Sequence, residues 1–149
     1  MKLKQHIGPA LMHGKMERVM VVPVEDVLPF VVKDKRDEGA ERNYGGHMVK
    51  MWSLRYQIFQ KSLVCCNCGI KGEYFALEKP EADPGTRYHF NLYARLDSGA
   101  EVLITKDHVV PKSKGGTDSV NNMRTMCKVC NEMRSNRDDL IKPSLSVTS

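Results

Sequence analysis

The sequence lacks the long apolar run that a membrane-spanning helix requires. None of its 149 residues lies in a stretch of roughly 18 consecutive apolar residues. Residues 1–18 include basic side chains but no apolar signal-peptide segment, so we expect a protein that is not secreted. The length corresponds to one compact domain, with room for an appendage. With 41% hydrophobic residues, a small core can form. These features exclude a membrane protein, a disordered chain and a large multidomain enzyme.

Acidic residues are fewer than basic ones. The chain has 23 Lys and Arg residues against 18 Asp and Glu residues, which gives a formal net charge of +5. A mild positive charge suits a polyanionic partner such as nucleic acid, because Lys and Arg neutralise phosphates and release counterions. Many soluble proteins are equally basic without such a partner. Charge alone therefore leaves nucleic-acid binding open.

The cysteines form two short pairs. Cys65 and Cys68 are one CxxC pair, Cys127 and Cys130 are the other, and 58 residues separate the two. Two CxxC knuckles that converge from distant parts of a chain are typical of a tetrahedral zinc site with four thiolate ligands. Disulfide bonds are the rival interpretation. The odd total of five cysteines and the missing secretion signal favour a reducing compartment, which we expect to be the cytoplasm. Cys66 is interpreted as a free thiol.

The first half of the chain predicts a strand, an exposed loop and a helix. Residues 19–22 are typical of a short strand, and residues 33–42, rich in charge, are typical of a loop or linker. After Gly45 and Gly46, large apolar residues recur at steps of three and four, which predicts one face of a helix that leads into the first knuckle. These residues are Met48, Trp52, Tyr56, Phe59 and Leu63. Arg55 lies near that face, where its aliphatic stem can pack.

The second half predicts strands and then a helix. Residues 73–77, 88–94 and 101–105 are rich in aromatic and branched side chains and are separated by turn signals, so we expect an antiparallel meander. His89 is interpreted as a histidine of this sheet. A helix is predicted to begin near Lys128, and residues 142–149 are predicted to be a flexible tail.

Residues 105–137 contain the side chains that could bind a metal ion or take part in catalysis. The third strand delivers Asp107 and His108 to its end. An Asp carboxylate and the amide oxygen of Asn131 are hard ligands that suit Mg²⁺ or Mn²⁺. His108 can take a proton from water, and Arg134 can hold a phosphate oxygen. Asn122 can orient the histidine through a backbone hydrogen bond. This set is sufficient for metal-assisted hydrolysis of a phosphodiester.

The order of these residues resembles a known motif. Asp107-His108 is followed by Pro111, Gly115-Gly116, Asn122 and Cys127-x-x-Cys130-Asn131. This pattern is similar to the HNH endonuclease motif of the ββα-metal fold. With the first knuckle included, the resemblance covers residues 63–137, about half of the chain. The strands that precede Asp107 also look similar to those of small HNH proteins carried by bacteriophages.

The resemblance implies a role for each residue. His108 is the general base that activates water, Asp107 is a ligand of the catalytic metal, and Asn122 holds the loop that carries the histidine. Asn131 stands where the family often has a third His, and this departure puts the identity of the metal in doubt. Arg134 corresponds to a helix position where a basic residue often contacts the scissile phosphate. The four cysteines match the family's structural zinc site, and the products would be a 3′-hydroxyl and a 5′-phosphate.

Together these observations predict an α+β protein with a ββα-metal nuclease core, a four-cysteine structural zinc site, a small antiparallel sheet and an N-terminal α/β extension. The predicted boundaries are an extension of unknown role at 1–44, an HNH domain at 45–141 with its motif core at 107–134, and the tail. The expected function is nicking of duplex DNA with Mg²⁺ or Mn²⁺. The alternatives are an inactive zinc-containing nucleic-acid-binding module and an interaction adaptor. Binding of DNA, formation of a homodimer and docking onto a phage packaging protein all remain open for the N-terminal residues.

Overall fold

A five-stranded antiparallel sheet is the main element of the protein. The computed structural model describes residues 15–134. The strands of the sheet lie in the order β1-β4-β5-β6-β7. Their bounds are Met16–Pro23 for β1, Tyr74–Pro80 for β4, His89–Arg95 for β5, Glu101–His108 for β6 and Met123–Cys127 for β7. All four pairings between neighbours are antiparallel.

The remaining elements are short. Strands β2 (Glu41–Tyr44) and β3 (His47–Lys50) form a hairpin, and helix α1 (Leu54–Lys61) follows it. A second helix, α2, begins at residue 128 and is described as far as residue 134. Single 3₁₀ turns occur at Val24–Asp26, Leu28–Phe30, Lys112–Lys114 and Val120–Asn122. The described part of the chain contains no helix that is both long enough and apolar enough to cross a membrane.

Helix α1 packs on one face of the sheet. Tyr56, Phe59, Phe75 and Phe90 are each at most 1% exposed, and their rings contact one another edge-on or tilted at centroid distances of 5.7–6.4 Å. The Tyr56 hydroxyl accepts a hydrogen bond of 2.8 Å from the Phe90 backbone N–H, which fastens α1 to β5. The aromatic contacts and the buried area make this cluster the centre of the core.

The opposite face of the sheet carries a buried polar network. Glu78 on β4 is fully buried and accepts hydrogen bonds of 2.8 Å from Arg18 Nε and Asn91 Nδ2, and another from the Tyr93 hydroxyl. Arg18 also reaches Glu101 on β6 through two hydrogen bonds. Because a buried carboxylate is stable only with such partners, the network fixes β1 against the middle of the sheet. The predicted N-terminal extension thus contributes a strand to the main sheet.

Several predictions of secondary structure are confirmed. The strand at 19–22 lies within β1, and the predicted meander at 73–105 corresponds to β4, β5 and β6, paired in sequence order. The mixed α and β composition with an antiparallel sheet is confirmed as well. The predicted tail, 142–149, lies outside the described residues.

The prediction of a helix from Met48 is wrong at its beginning. Residues 47–50 form β3, and α1 begins at Leu54, with Ser53 as its N-cap. Gly45 and Gly46 have φ values of 59° and 95°, and a two-residue hairpin turn of type I′ requires positive φ at both positions. The glycine pair therefore makes the turn between β2 and β3, and Met48 is 46% exposed instead of facing the core.

We expect the Phe75→Ala variant to lower the free energy of unfolding by about 3–5 kcal/mol, because it leaves a cavity among three aromatic rings. Val21→Ala is the control, since Val21 is 52% exposed and should change stability by less than about 0.5 kcal/mol. Urea unfolding followed by circular dichroism measures both. Equal stability of the two variants would contradict the assignment of Phe75 to the core.

Candidate active site and metal centre

Four cysteines converge at one end of the sheet. Cys65 and Cys68 lie in the segment between α1 and β4, and Cys127 and Cys130 lie where β7 passes into α2. Their sulfur atoms are all within 4.8 Å of one another, and the Sγ atoms of Cys68 and Cys127 are 3.9 Å apart. A tetrahedral zinc ion with Zn–S bonds of about 2.3 Å places its sulfurs about 3.8 Å apart, whereas a disulfide needs about 2.05 Å. The cluster fits a metal ion such as zinc and is not a pair of disulfides.

Backbone hydrogen bonds shape both knuckles. In the first, Cys65 N–H bonds to the Ile70 carbonyl at 2.8 Å, and Cys68 N–H points at Cys65 Sγ at 3.5 Å. In the second, Cys130 N–H points at Cys127 Sγ at 3.4 Å. Cys66 is exposed and its N–H bonds to the Thr125 carbonyl at 2.9 Å, which ties the first knuckle to β7. Cys66 therefore contributes its backbone, and its thiol lies outside the cluster.

The thiols of the cluster differ in acidity. A hydrogen bond between Cys65 and Cys127 lowers the pKa of Cys65 to about 4 and raises the pKa of Cys127. Burial raises the pKa of Cys68 to about 11. Metal binding has to displace the protons of the thiols that are still protonated at neutral pH. Binding of zinc by this cluster must therefore release protons and weaken as the pH falls.

Helix α2 lies against β6 and brings Asn131 to the sheet. The Asn131 Nδ2 group donates to Thr105 Oγ1 at 3.1 Å and to the Lys106 carbonyl at 3.4 Å. Both donor contacts are made to β6, so the amide nitrogen occupies the side that faces the strand. The amide oxygen is the atom of Asn131 left for a further partner.

Asp107 is held between two arginines. Its Oδ2 atom accepts from Arg124 Nε at 3.2 Å and from Arg134 Nη1, and its side chain is only 14% exposed. Arg124 is the residue opposite Asp107 in the β6–β7 ladder, and Arg134 comes from α2. Arg134 Nη1 also donates to the His108 carbonyl at 3.3 Å. Strand, hairpin partner and helix thus converge on one carboxylate.

The His108 side chain contacts a residue that sequence reasoning missed. His108 Nε2 lies 2.6 Å from Asp118 Oδ1, and Asp118 Oδ2 lies 3.0 Å from Lys112 Nζ. The hydrogen bond to His108, followed by that to Lys112, lowers the pKa of Asp118. An ionised carboxylate only accepts hydrogen bonds, so Nε2 of the neutral ring carries the proton and Nδ1 is its basic nitrogen.

Asn122 closes the loop between β6 and β7. Its Oδ1 accepts from Val110 N–H at 2.9 Å, and its Nδ2 donates to the carbonyls of Val110 and Thr117 at 3.1 and 2.8 Å. Gly116 allows the loop to fold this tightly, because a Cβ atom there would lie 1.7 Å from the Val110 carbonyl oxygen. The loop that follows His108 is therefore held by one side chain and one close backbone approach.

This segment can be compared with known families. Residues 96–137 match the model of the HNH endonuclease family. No curated protein and no solved structure matches the chain. The HNH match spans β6, the loop, β7 and the second knuckle, and it includes every residue of the predicted motif core, 107–134. The similarity to bacteriophage proteins stays a prediction.

The structure brings some of the predicted site residues of the HNH segment into direct contact. Asp107 and Arg134 form an ion pair, and Asn131 on α2 donates to the carbonyl of Lys106, the residue before Asp107. His108 instead lies at the end of β6, and its ring forms a hydrogen bond with Asp118 in the loop. Arg124 and Asp118 were not predicted. Only the strand register reveals Arg124, and only the folded loop reveals Asp118.

The two predicted cation ligands lie on neighbouring elements, Asp107 on β6 and Asn131 on α2. Asp107 offers a carboxylate and Asn131 an amide oxygen, which are ligands that Mg²⁺ accepts together with water and substrate phosphate. The contacts from Arg124 and Arg134 described above are both made to Oδ2 of Asp107.

We expect Cys68→Ser to lose zinc and stability, whereas Cys66→Ser, the control two residues away, keeps one zinc ion per chain. The reason is that Cys68 lies in the four-sulfur cluster and Cys66 does not. Elemental analysis gives the zinc content and thermal unfolding gives the stability. A Cys68→Ser protein that is stable without zinc would contradict a structural metal centre.

We expect Asn122→Ala to lower the free energy of unfolding by about 1–3 kcal/mol, because Val110 N–H and the Thr117 carbonyl lose their partner. Amide hydrogen exchange should also become faster at Val110. Asn121→Ala is the neighbouring control, since Asn121 makes one exposed contact, to Lys61, at 3.3 Å. The expectation fails if both variants unfold at the same urea concentration.

Proposed function

We propose that the protein is a metal-dependent endonuclease that hydrolyses DNA phosphodiester bonds by the HNH mechanism and nicks duplex DNA. The observation that carries the proposal is the HNH family match over a segment that holds Asp107, His108, Asn122 and Asn131 on β6, the loop, β7 and α2. The family match favours an enzyme that acts on nucleic acid over a zinc module without activity. The predictions of a homodimer and of a packaging partner stay predictions.

The proposed general base is His108. With Nε2 bonded to Asp118, the basic Nδ1 nitrogen can take a proton from a water molecule. The resulting hydroxide attacks phosphorus, a new P–O bond forms, and the bond to the 3′ oxygen breaks. The leaving oxygen takes up a proton to give a 3′-hydroxyl, and the phosphate stays on the 5′ carbon of the next nucleotide. Asp118 acts as a positioning residue, because it sets the tautomer and the orientation of the ring.

The other proposed roles follow from contacts around Asp107. A Mg²⁺ or Mn²⁺ ion bound by Asp107 and Asn131 would stabilise the negative charge that develops on the leaving oxygen. Arg134 contacts both the Asp107 carboxylate and the His108 carbonyl, which supports a role in binding an oxygen of the scissile phosphate. Asn122 keeps the loop after His108 in place. The four cysteines hold α2, which carries Asn131 and Arg134, against the sheet.

We expect the purified protein to convert supercoiled plasmid to open circles with Mg²⁺ and not with EDTA. His108→Ala should remove the activity by at least about a hundredfold, since a general base contributes roughly 10²–10⁴ in rate. His47→Ala is the matched control, because His47 lies on β3 and contacts Tyr88 instead of the HNH segment. Agarose gels quantify the open circles, and zinc content checks that each variant is folded.

Each outcome of this assay has one meaning. Loss of nicking in His108→Ala alone would support the proposal. Equal activity of His108→Ala and the unmodified protein would overturn the role of His108. A salt-sensitive gel shift without hydrolysis in either metal would favour the inactive binding module instead.

A further inference from the structure

A concave basic surface lies beside the candidate active site, on the face of the sheet that α1 covers. We call it the basic groove. It encloses about 380 Å³. Its lining residues are Lys50, Trp52, Ser53, Arg55, Tyr56, His89 and Lys106.

The basic groove contains three cations and no acid. Lys50, Arg55 and Lys106 are the charged lining residues apart from His89, whose charge depends on pH. Within residues 15–134, none of these three cations has an ion-pair partner, whereas five other arginines, at 18, 36, 87, 124 and 134, form short ion pairs. Three uncompensated positive charges that face one cavity repel each other unless an anion binds between them.

Arg55 places a fixed positive charge at the wall of the basic groove. Its Nη2 donates to the Phe90 carbonyl at 2.8 Å, which fixes the guanidinium at the wall of the groove. Its Nε is a buried nitrogen with no hydrogen-bond partner in the described part of the chain. Because Nε is buried, Arg55 contributes the fixed positive charge of its guanidinium to the groove and does not offer Nε to a ligand outside the protein.

Helix α1 adds to the positive potential. Ser53 caps its N-terminus by accepting from Arg55 N–H at 3.2 Å, and both residues line the groove. The N-terminal end of a helix carries a partial positive charge, which favours an anion. Trp52, the only tryptophan of the chain, lies 5.6 Å from Lys50 Nζ at the same wall.

The position of the groove points to an extended anion. Lys106 is two residues before His108 on β6, so both side chains leave the same side of the strand about 6.6 Å apart. At the other end, Lys50 and His89 also line a second concavity of about 440 Å³ that continues along Gly85–His89. There Arg87 is paired with Glu41, so the uncompensated charge is concentrated in the basic groove. A small anion would fill only part of this surface, whereas a DNA strand presents one phosphate every 3.4 Å or so along the helix axis.

We propose that the basic groove binds the phosphate backbone of the DNA strand a few nucleotides from the phosphate that is cleaved. The inference rests on the proposed nuclease function, because it takes the path of the DNA from the position of His108. Lys50 and Lys106 contact backbone phosphates, and the Arg55 guanidinium adds positive charge at the wall of the groove. These contacts are independent of base sequence and hold the DNA in register with the active site.

The test measures binding and cleavage separately. A fluorescent 20-base-pair duplex is titrated with Lys50→Gln and Lys106→Gln, each made in a His108→Ala background so that the duplex stays intact. Lys71→Gln in the same background is the control, because it also removes one exposed lysine. Lys71 lies at the opposite end of the β4–β5 ladder, where its backbone forms an isolated β-bridge with Val64. Fluorescence anisotropy at several salt concentrations gives the Kd and its salt dependence.

We expect each groove variant to raise the Kd about tenfold and to reduce the slope of log K against log salt by about 1, as for the loss of one phosphate contact. Lys71→Gln should change neither. In plasmid nicking by the parent protein, the groove variants should raise KM and leave kcat unchanged, because these contacts are made equally in the ground and transition states. Zinc content and thermal unfolding confirm that the variants are folded.

Two results would overturn the inference. One is a Kd and salt slope in both groove variants equal to those of the His108→Ala parent. The other is an equal loss in Lys71→Gln, which would show a general effect of net charge. Failure of the proposed function is separate: groove-dependent DNA binding by a protein that never nicks plasmid would leave the groove assigned and the nuclease proposal refuted.

Discussion

The antiparallel pairing of β6 with β7 is the constraint on which the candidate site depends. It sets Asp107 opposite Arg124 and Ile104 opposite Cys127. The first pair gives the carboxylate its ion-pair partner, and the second places the start of the second knuckle beside the core. Helix α2 follows directly from β7, so its orientation is fixed by the same ladder. A shift of one residue in this register would turn Asp107 to the other face of the sheet.

The charges around Asp107 explain why so small a site can be ordered. Two arginines compensate the partly buried carboxylate, and a second carboxylate, Asp118, is compensated by Lys112 and accepts a hydrogen bond from His108. Each acid is thus paired with bases from a different part of the segment, so the strand, the loop and the helix are joined by electrostatic contacts. By contrast, the basic groove next to them contains cations that form no ion pair within residues 15–134. Acids with ion-pair partners in the candidate active site, and cations without them in the basic groove, suit a polyanion that is cleaved at the first place and bound at the second.

The sequence was informative where local spacing decides structure. Both CxxC pairs and the alternating strands of the meander could be recognised, because knuckles and half-buried strands depend on residues that are close together in the chain. The beginning of α1 could not be predicted from apolar periodicity, since Met48 and Trp52 fit the helical spacing although Gly45 and Gly46 turn the chain into a hairpin. Here turn chemistry overrode the periodic pattern. Arg124 and Asp118 depend on strand register and on the path of a loop, which no spacing along the chain reveals. Arg55 was interpreted as a snorkelling charge, and only the folded chain shows that its Nε is buried.

The four-cysteine cluster also affects the unfolded chain. Cys68 and Cys127 are 59 positions apart, with β4, β5, β6 and β7 between them. A metal ion that stays bound to both knuckles in the unfolded chain closes a loop of this length and removes conformational entropy equivalent to about 4 kcal/mol. The four intervening strands pair with their neighbours in sequence and can assemble through local contacts, whereas β1 must find β4 across a much longer separation. A metal ion at the cluster therefore reduces the conformational search for the HNH segment and leaves the docking of β1 as the contact with the largest loop-closure entropy.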